Sequence, residues 1–464
     1  MNRLMKNNIL LFLFLMVLIT ACDVLDQEPE LQISDGQAIT SLNGANAALN
    51  GAYNQVQGVY QGRIQRLSDV SADISQSIGT WDFYREMDTY GVSPDNTELL
   101  DLWTFIYRGV NQSNNLIAQV PGIEATQAQK DNILGQAYFI RALCHFDAVR
   151  VWGGVPGVAG TIGIPIILNP SRGIDDSAFP SRASLADSYQ QVKNDLTQAL
   201  ALLPEDQSNN SNTRGRATKS AARALLSRVH LYLGEWAAAE SRATEVISNS
   251  KFTLVSPFST IFTGDATNES ILEIQFNTAD QSGLRFWYAP GAIGGRGELA
   301  AHDALYNSYA SADARRALFG FDPVVGVWYT TKYFRPGDID DGHVLRISEM
   351  YLNRAEARAR LANNAGATSD LNAVRNRAGL ANYDSGTDVP LLEAIERERR
   401  WEFVGEGHRF FDLVRTGRAL TVLQNVGRKN GPAVTVSSAQ RLVMPIPRRE
   451  TDANKNLVQN QGYN

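Results

Sequence analysis

The sequence contains few of the residues and motifs that mark metalloproteins, hydrolases or nucleic-acid-binding proteins. Its 464 residues include two cysteines and five histidines, and the histidines lie far apart, without the spacing of metal ligands. The sequence has no H-E-x-x-H, G-x-S-x-G or P-loop motif. Its net charge of −6 gives no basic surface for nucleic acid. We therefore predict no enzymatic activity, cofactor, metal or nucleic-acid partner, although a metal site assembled from distant residues stays open.

No apolar run is long enough for a membrane-spanning helix. The longest, residues 9–19, falls short of the roughly 18–20 residues that a span requires. It follows Arg3 and Lys6 and precedes Thr20, Ala21 and Cys22, which is the order of a secretory signal peptide. The residues Ile-Thr-Ala-Cys resemble a bacterial lipobox. We predict a signal peptide over residues 1–21 and a lipid-anchored Cys22, since several acyl chains hold a protein stably on a membrane.

Helical periodicity dominates the rest of the chain. Leu185, Tyr189, Val192 and Leu196 are one example of apolar residues that recur every three or four positions. Gly234, Trp236 and Ala239 match the core of a tetratricopeptide repeat. The predicted helical segments are approximately residues 40–60, 100–152, 184–248 and 344–418. We predict irregular structure at approximately residues 60–95 and 252–335. Within the second of these segments, the runs ILEIQF and VVGVWYTTKYF are typical of strands.

These patterns predict a mainly α fold. Tetratricopeptide-like helical hairpins form a superhelical scaffold, and a loop-rich, partly β region packs on it. We expect residues 22–464 to form one domain, because a helical array can continue as a single unit. Cys144 is then the second cysteine and is predicted to be a small buried hydrophobe.

Residues 395–418 combine an unusually high density of charge with aromatic side chains. Glu398 and Glu402 are four residues apart and share a helix face. Gly405 and Gly407 separate two helical stretches, where the chain must turn sharply. Buried charges are costly unless each has a partner. We predict two helices folded on each other, with carboxylates and guanidiniums paired at the corner between them.

The same segment carries a family resemblance. It resembles the C-terminal signature of SusD/RagB proteins, the outer-membrane nutrient-binding lipoproteins of Bacteroidetes. The matching residues are Glu398, Arg399, Arg400, Glu402, Phe403, Glu406, Gly407, Arg409, Phe410, Asp412, Leu413 and Arg415. Two further segments, QAYFIRALCHFDAVRVWGGVP and the C-terminal VMPIPRRETDANKNLVQNQGY, are also similar to family segments.

The resemblance implies a function and a location. Family members bind oligosaccharides, or peptides in some cases, at the cell surface. They cover a SusC-like TonB-dependent transporter in the outer membrane and deliver the ligand to it. The resemblance therefore implies a lipid-anchored protein on the cell exterior.

Aromatic residues outside any helical periodicity are the candidate binding residues. An exposed indole or phenol ring can stack on the apolar face of a sugar, and neighbouring polar side chains can hydrogen-bond its hydroxyls. The candidates are Trp81, Asp82, Tyr84, Arg85, Trp287, Tyr288 and Trp328. Packing of these rings under a loop is the alternative. A peptide-binding member of the family, a tetratricopeptide scaffold for proteins and, less favoured, a glycoside hydrolase also stay open at this point.

Overall fold

The computed structural model describes residues 39–171 and 179–463. The predicted signal peptide and Cys22 lie outside these residues. Within them, no helix combines the length and the apolar character that crossing a membrane requires.

Helices make up most of the described chain, as the periodicity predicts. The α-helices are α1 Leu42–Tyr60, α2 Arg63–Val70, α3 Asp82–Asp88, α4 Thr97–Gln119, α5 Gln127–Ala148, α6 Leu185–Leu202, α7 Asn210–Gly215, α8 Lys219–Tyr232, α9 Trp236–Ile247, α10 Thr260–Thr263, α11 Leu284–Tyr288, α12 Asp303–Ser308, α13 Ile347–Arg360, α14 Asn364–Arg377, α15 Leu391–Glu402, α16 Arg409–Arg415, α17 Ala419–Val422 and α18 Arg448–Ala453. The strands are β1 Ser75–Ser77, β2 Ser270–Ile274, β3 Leu299–Ala301, β4 Phe319–Asp322, β5 Val327–Thr330, β6 Gly342–Arg346, β7 Val426–Arg428 and β8 Gly431–Val434.

The long helices pack as a continuous series of hairpins. Helix α1 packs on α4, α4 on α5, α5 on α6, α6 on α8, α8 on α9, α9 on α13, and α13 on α14. Helix α6 begins where the sequence predicts, because the Ser184 side chain accepts a hydrogen bond from the Asp187 backbone N–H at 3.0 Å. Between α8 and α9, Gly234 adopts a positive φ of 69°, which suits glycine. The predicted mainly α fold with helical hairpins is confirmed.

The predicted charged corner is also confirmed. Glu398 and Glu402 of α15 are fully buried, and Gly405 and Gly407 both adopt a φ of 79° in the turn before α16. The Arg346 guanidinium lies 2.7 Å from Glu406 and 3.1 Å from Glu402. The corner therefore neutralises its charges inside the protein, as burial requires.

The irregular regions contain more regular structure than the sequence predicts. Strands β1, β3, β5 and β4 form an antiparallel four-stranded sheet in that order, and β2 pairs with β6. The two predicted strand runs are confirmed as β2 and β5. Helices α2, α3, α10, α11 and α12 lie in the regions that the sequence predicts to be irregular, because each is eight residues or shorter and too brief to show a periodicity.

The C-terminal segment docks on the helices, and Cys144 is buried as the sequence predicts. The Trp152 indole donates to the Pro445 carbonyl at 3.0 Å, and the Met444 backbone N–H donates to the Val151 carbonyl at 2.9 Å. The C-terminus thus docks on the end of α5. Cys144 is buried, and burial raises the pKa of its thiol.

Candidate functional site: an aromatic surface cluster

Two of the predicted aromatic segments meet on the surface. The rings of Trp81 and Trp287 lie edge to face with centroids 5.0 Å apart. Phe83 contacts Trp81, and Phe286 contacts Trp287, with centroids 5.0 and 5.1 Å apart. These four rings and Tyr84, which lies 5.4 Å from Trp287, form what we call the aromatic cluster. Residues about two hundred positions apart in sequence thus build one feature.

Strand pairing brings the two segments together. In the β1–β3 pair, Ser77 lies opposite Leu299. Glu298, directly before β3, is buried and accepts a hydrogen bond from the Trp81 backbone N–H at 3.1 Å. Burial raises the pKa of the Glu298 carboxyl. The sheet edge therefore fixes the start of α3, and with it the position of the Trp81 ring.

The buried side chain of Arg66 packs against the rings of the cluster. The Arg66 guanidinium lies 4.4 Å from the Trp287 ring centroid and 2.5 Å from Glu98. Its Nε also donates to the Tyr84 hydroxyl, which in turn donates to Glu98 at 3.1 Å. A desolvated cation over an indole face is an attractive contact of about 2 kcal/mol. This contact covers one face of Trp287 and holds the ring in place.

Two rings of the cluster reach solvent. Trp81 is 36% exposed and Phe286 is 45% exposed, whereas Trp287 is half-buried between them. The Arg296 guanidinium lies 4.9 Å from the Trp81 ring centroid. The exposed surface is therefore apolar and bordered by a positive charge.

The expectation that Tyr84 and Tyr288 are exposed is wrong. Both side chains are buried, because each phenol donates a hydrogen bond to an internal carboxylate. Tyr84 donates to Glu98, and Tyr288 donates to Asp69 at 2.8 Å. Burial raises the pKa of both phenols. The segment around Trp287 and Tyr288 is also the short helix α11 and not the predicted loop.

The other predicted residues have different surroundings. Asp82 and Arg85 are exposed and form an ion pair with each other on α3. Trp328 on β5 is half-buried and stacks face to face on Tyr306, with centroids 3.4 Å apart. Its neighbour Phe321, 5.0 Å away, is 48% exposed. In the described part of the chain, no ring contact joins Trp328 to the aromatic cluster.

Sequence reasoning missed Phe286 and Arg66 as parts of the cluster. Phe286 directly precedes the candidates Trp287 and Tyr288 in RFWYA. The exposure of its ring follows from the five-residue helix α11, which is too short to be recognised from a periodicity. Arg66 lies in α2, in a different element from either aromatic segment and more than two hundred positions before Trp287. Within residues 39–171 and 179–463, no group of three histidine, cysteine or carboxylate side chains could hold a metal ion.

The fold and this surface define a class: a helical-hairpin scaffold that carries an irregular, partly β region with exposed aromatic rings. Comparison with known proteins identifies its family. Residues 328–463 match the model described as "SusD family", and residues 23–231 match the model described as "Starch-binding associating with outer membrane". The chain belongs to the SusD/RagB family, as its C-terminal signature predicts.

Several relatives align over nearly the whole chain. A SusD-like protein of Formosa agariphila is 25% identical, with 98% of each chain aligned. A SusD superfamily protein from Bacteroides thetaiotaomicron has a similar structure, with a TM-score of 0.79, 27% identity, and coverage of 90% of this chain and 99% of that one. Surface glycan-binding protein A of the same organism, solved with laminarihexaose, gives a TM-score of 0.75 at 22% identity, covering 90% and 99%.

Proposed function

We propose that this protein is a cell-surface glycan-binding protein and that the aromatic cluster is its binding site. The observation that carries this proposal is the exposure of Trp81 and Phe286 on either side of a braced Trp287. A sugar ring presents C–H groups on one face, and stacking on an aromatic ring removes that face from water. The cluster offers such rings in fixed positions, so little conformational entropy is lost when a ligand stacks on them.

The surroundings favour hydroxyl-bearing ligands. Arg296 at the border can donate hydrogen bonds to hydroxyl oxygens, and the exposed Asp82 and Arg85 are nearby in sequence on α3. The family model described as starch-binding and the relative that binds laminarihexaose both support a glycan ligand. Trp328 and the exposed Phe321 beside it form a second aromatic surface for ligand contact.

The location and the partner rest on the family resemblance. We propose that Cys22 is lipidated after removal of residues 1–21 and anchors the protein on the outer face of the outer membrane. The model described as associating with the outer membrane supports this location. We further propose that the protein passes its ligand to a SusC-like TonB-dependent transporter and does not hydrolyse it.

Binding of polysaccharides in native affinity gels is the experiment that tests the proposal. The mature protein should be retarded by at least one neutral polysaccharide, and Trp81→Ala and Phe286→Ala should each abolish or weaken that retardation. Leu361→Ala is the matched control, since Leu361 is also 45% exposed but lies at the end of α13.

Three other outcomes would favour the alternatives. Retardation by none of the polysaccharides, together with binding of a peptide library, would favour a peptide-binding member. Binding of neither would favour a protein scaffold. Release of reducing sugars by the purified protein would favour a hydrolase.

A further inference from the structure

A polar cavity of about 420 Å³ lies beside α1. Six amide side chains line it: Asn50, Asn54, Gln57, Asn212, Gln275 and Asn277. Only two charged side chains, Arg216 and Asp280, share the lining. This composition is unlike that of the aromatic cluster, because it offers hydrogen-bonding groups in place of apolar faces.

Three of these amides belong to a row of four amide side chains along one face of α1, which we call the amide row. Asn50, Asn54, Gln57 and Gln61 are spaced by four, three and four residues, so all four project from the same side of the helix. At a rise of 1.5 Å per residue, the row is about 16 Å long. Asn54 and Gln61 make no side-chain hydrogen bond to any described residue, which leaves their amides available.

The row ends at the aromatic cluster. The space beside the Gly283 Cα, where a Cβ would lie, is 3.7 Å from the Trp287 indole nitrogen and 3.9 Å from the Gln61 side-chain oxygen. The nearest atom to this point is the Gln61 backbone oxygen, at 3.4 Å. Gln61, the last residue of the row, therefore lies beside the Trp287 indole, so the amide row ends next to the aromatic cluster.

Several lining side chains of the cavity are held by contacts with one another. The Arg216 guanidinium stacks 4.2 Å from the Tyr53 ring centroid and donates to the Asn50 side chain at 2.7 Å. Its Nη1 atom is buried and has no hydrogen-bond partner among the described residues. On the opposite side, the Gln57 amide donates to Asp280 at 2.6 Å, which leaves the Gln57 oxygen as an acceptor.

We propose that the amide row extends the binding site, so that the protein binds a chain of several sugar units running from Trp287 along α1 into this cavity. Each amide both donates and accepts, which matches hydroxyl groups that do the same. One positive and one negative side chain leave the cavity without a strong preference for charge, which favours a neutral glycan. This inference rests on the proposed glycan-binding function and adds the length and charge class of the ligand.

Calorimetric titration with laminari-oligosaccharides and malto-oligosaccharides, from disaccharide to hexasaccharide, tests the inference. For the series that the wild-type protein binds, affinity should rise with chain length. The variant Asn54→Ala/Gln61→Ala should lose about fivefold to thirtyfold in affinity for the hexasaccharide, the equivalent of two hydrogen bonds, and less than that for the disaccharide. Gln190→Ala/Asn194→Ala removes two exposed amides from α6 and should change neither value.

The outcomes separate the two proposals. A wild-type affinity that does not rise with length, or a hexasaccharide affinity unchanged in Asn54→Ala/Gln61→Ala, would overturn the extended site while leaving the glycan-binding function intact. Failure of the wild type to bind any member of either series, with no retardation in the affinity gels, would overturn both. Binding of peptides that is lost in Asn54→Ala/Gln61→Ala would overturn the assignment to a neutral glycan.

Discussion

The charged corner and the aromatic cluster use similar side chains for opposite purposes. In the corner, Arg346 contacts Glu269, Glu402 and Glu406, and all four are buried. In the cluster, Arg66 also pairs with a carboxylate, yet the rings above it remain partly in water. The charged side chains of the corner are paired with one another inside the protein, whereas the cluster leaves apolar surface in contact with water. An exposed apolar surface is the feature that indicates binding.

The ionisation of buried carboxyls differs between the two regions. In the corner, arginines hold the pKa of Glu402, Glu406 and Asp412 below the ordinary value even though burial acts in the opposite direction. Under the cluster, burial raises the pKa of Asp69 to about 8, because its hydrogen bond from Tyr288 does not offset the loss of water. The arginines therefore hold these three corner carboxyls charged, although burial raises the pKa of a fourth, Glu398, as it does that of Asp69 under the cluster.

Removal of a corner carboxylate should have the largest effect. Glu402→Ala leaves the guanidiniums of Arg315, Arg346 and Arg377 short of a partner inside the protein. We expect the free energy of unfolding to fall by about 3–5 kcal/mol, measured by chemical denaturation. The control Glu393→Ala removes an exposed carboxylate 3.8 Å from Arg418 and should cost less than about 1 kcal/mol. Equal losses of stability for both variants would show that the buried corner carboxylate contributes no more to the fold than an exposed one.

Removal of an exposed ring should affect binding and spare stability. Trp81→Ala deletes a side chain that is 36% exposed. We expect it to weaken glycan binding by about tenfold or more, equivalent to about 1.4 kcal/mol, in a calorimetric titration. Thermal unfolding of the same sample is the check, since a large drop in Tm with unchanged affinity would assign Trp81 to the fold.

Asp69→Asn should change how stability depends on pH. Because the pKa of Asp69 is about 8 in the folded protein and 3.8 ordinarily, the folded state holds a proton that the unfolded state releases between these values. Asp69 therefore contributes a loss of wild-type stability as pH rises from about 4 to about 8. The asparagine variant should gain stability relative to the wild type across this window and show a constant difference above it.

Denaturation midpoints at several pH values measure this difference. The pH dependence of stability should also be measured for Tyr288→Phe, because this variant removes the hydrogen bond to Asp69 without adding or removing a carboxyl. A difference between Asp69→Asn and the wild type that does not vary with pH would show that Asp69 is ionised throughout.

Arg85→Ala should have the smallest effect. Arg85 and Asp82 form an exposed ion pair within one helix, and such pairs contribute about 0–1 kcal/mol to stability. We expect no measurable change in Tm and at most a few-fold loss of glycan affinity, the equivalent of about one hydrogen bond. A loss of glycan affinity as large as that of Trp81→Ala would show that this ion pair, and not the aromatic rings, makes the main contact with the glycan.

The sequence predicts the corner better than the cluster. The spacing of Glu398 and Glu402 and the two glycines are local signals, so they predict helices, a turn and buried charge. The partners Arg346 and Arg315 are more than fifty positions away, and no local pattern indicates which distant guanidinium a buried carboxylate meets.

For the cluster, the absence of periodicity selects the segments that meet on the surface but does not separate their exposed rings from their buried ones. Trp81 and Phe286 are exposed while their near neighbours Tyr84 and Tyr288 are buried. The difference is set by Glu98 and Asp69, acceptors that tertiary packing places under the two phenols. The prediction of lipidation at Cys22 lies outside the described residues and stays a prediction.

On this account Trp81 forms part of the glycan contact, whereas the charged corner supports the fold alone. Acrylamide quenching of tryptophan fluorescence, with and without the polysaccharide that retards the protein, distinguishes these two roles. We predict that the polysaccharide protects part of the emission in the wild type and that Trp81→Phe loses this protected part while its unfolding curve is unchanged. Identical protection in the wild type and in Trp81→Phe would contradict the claim.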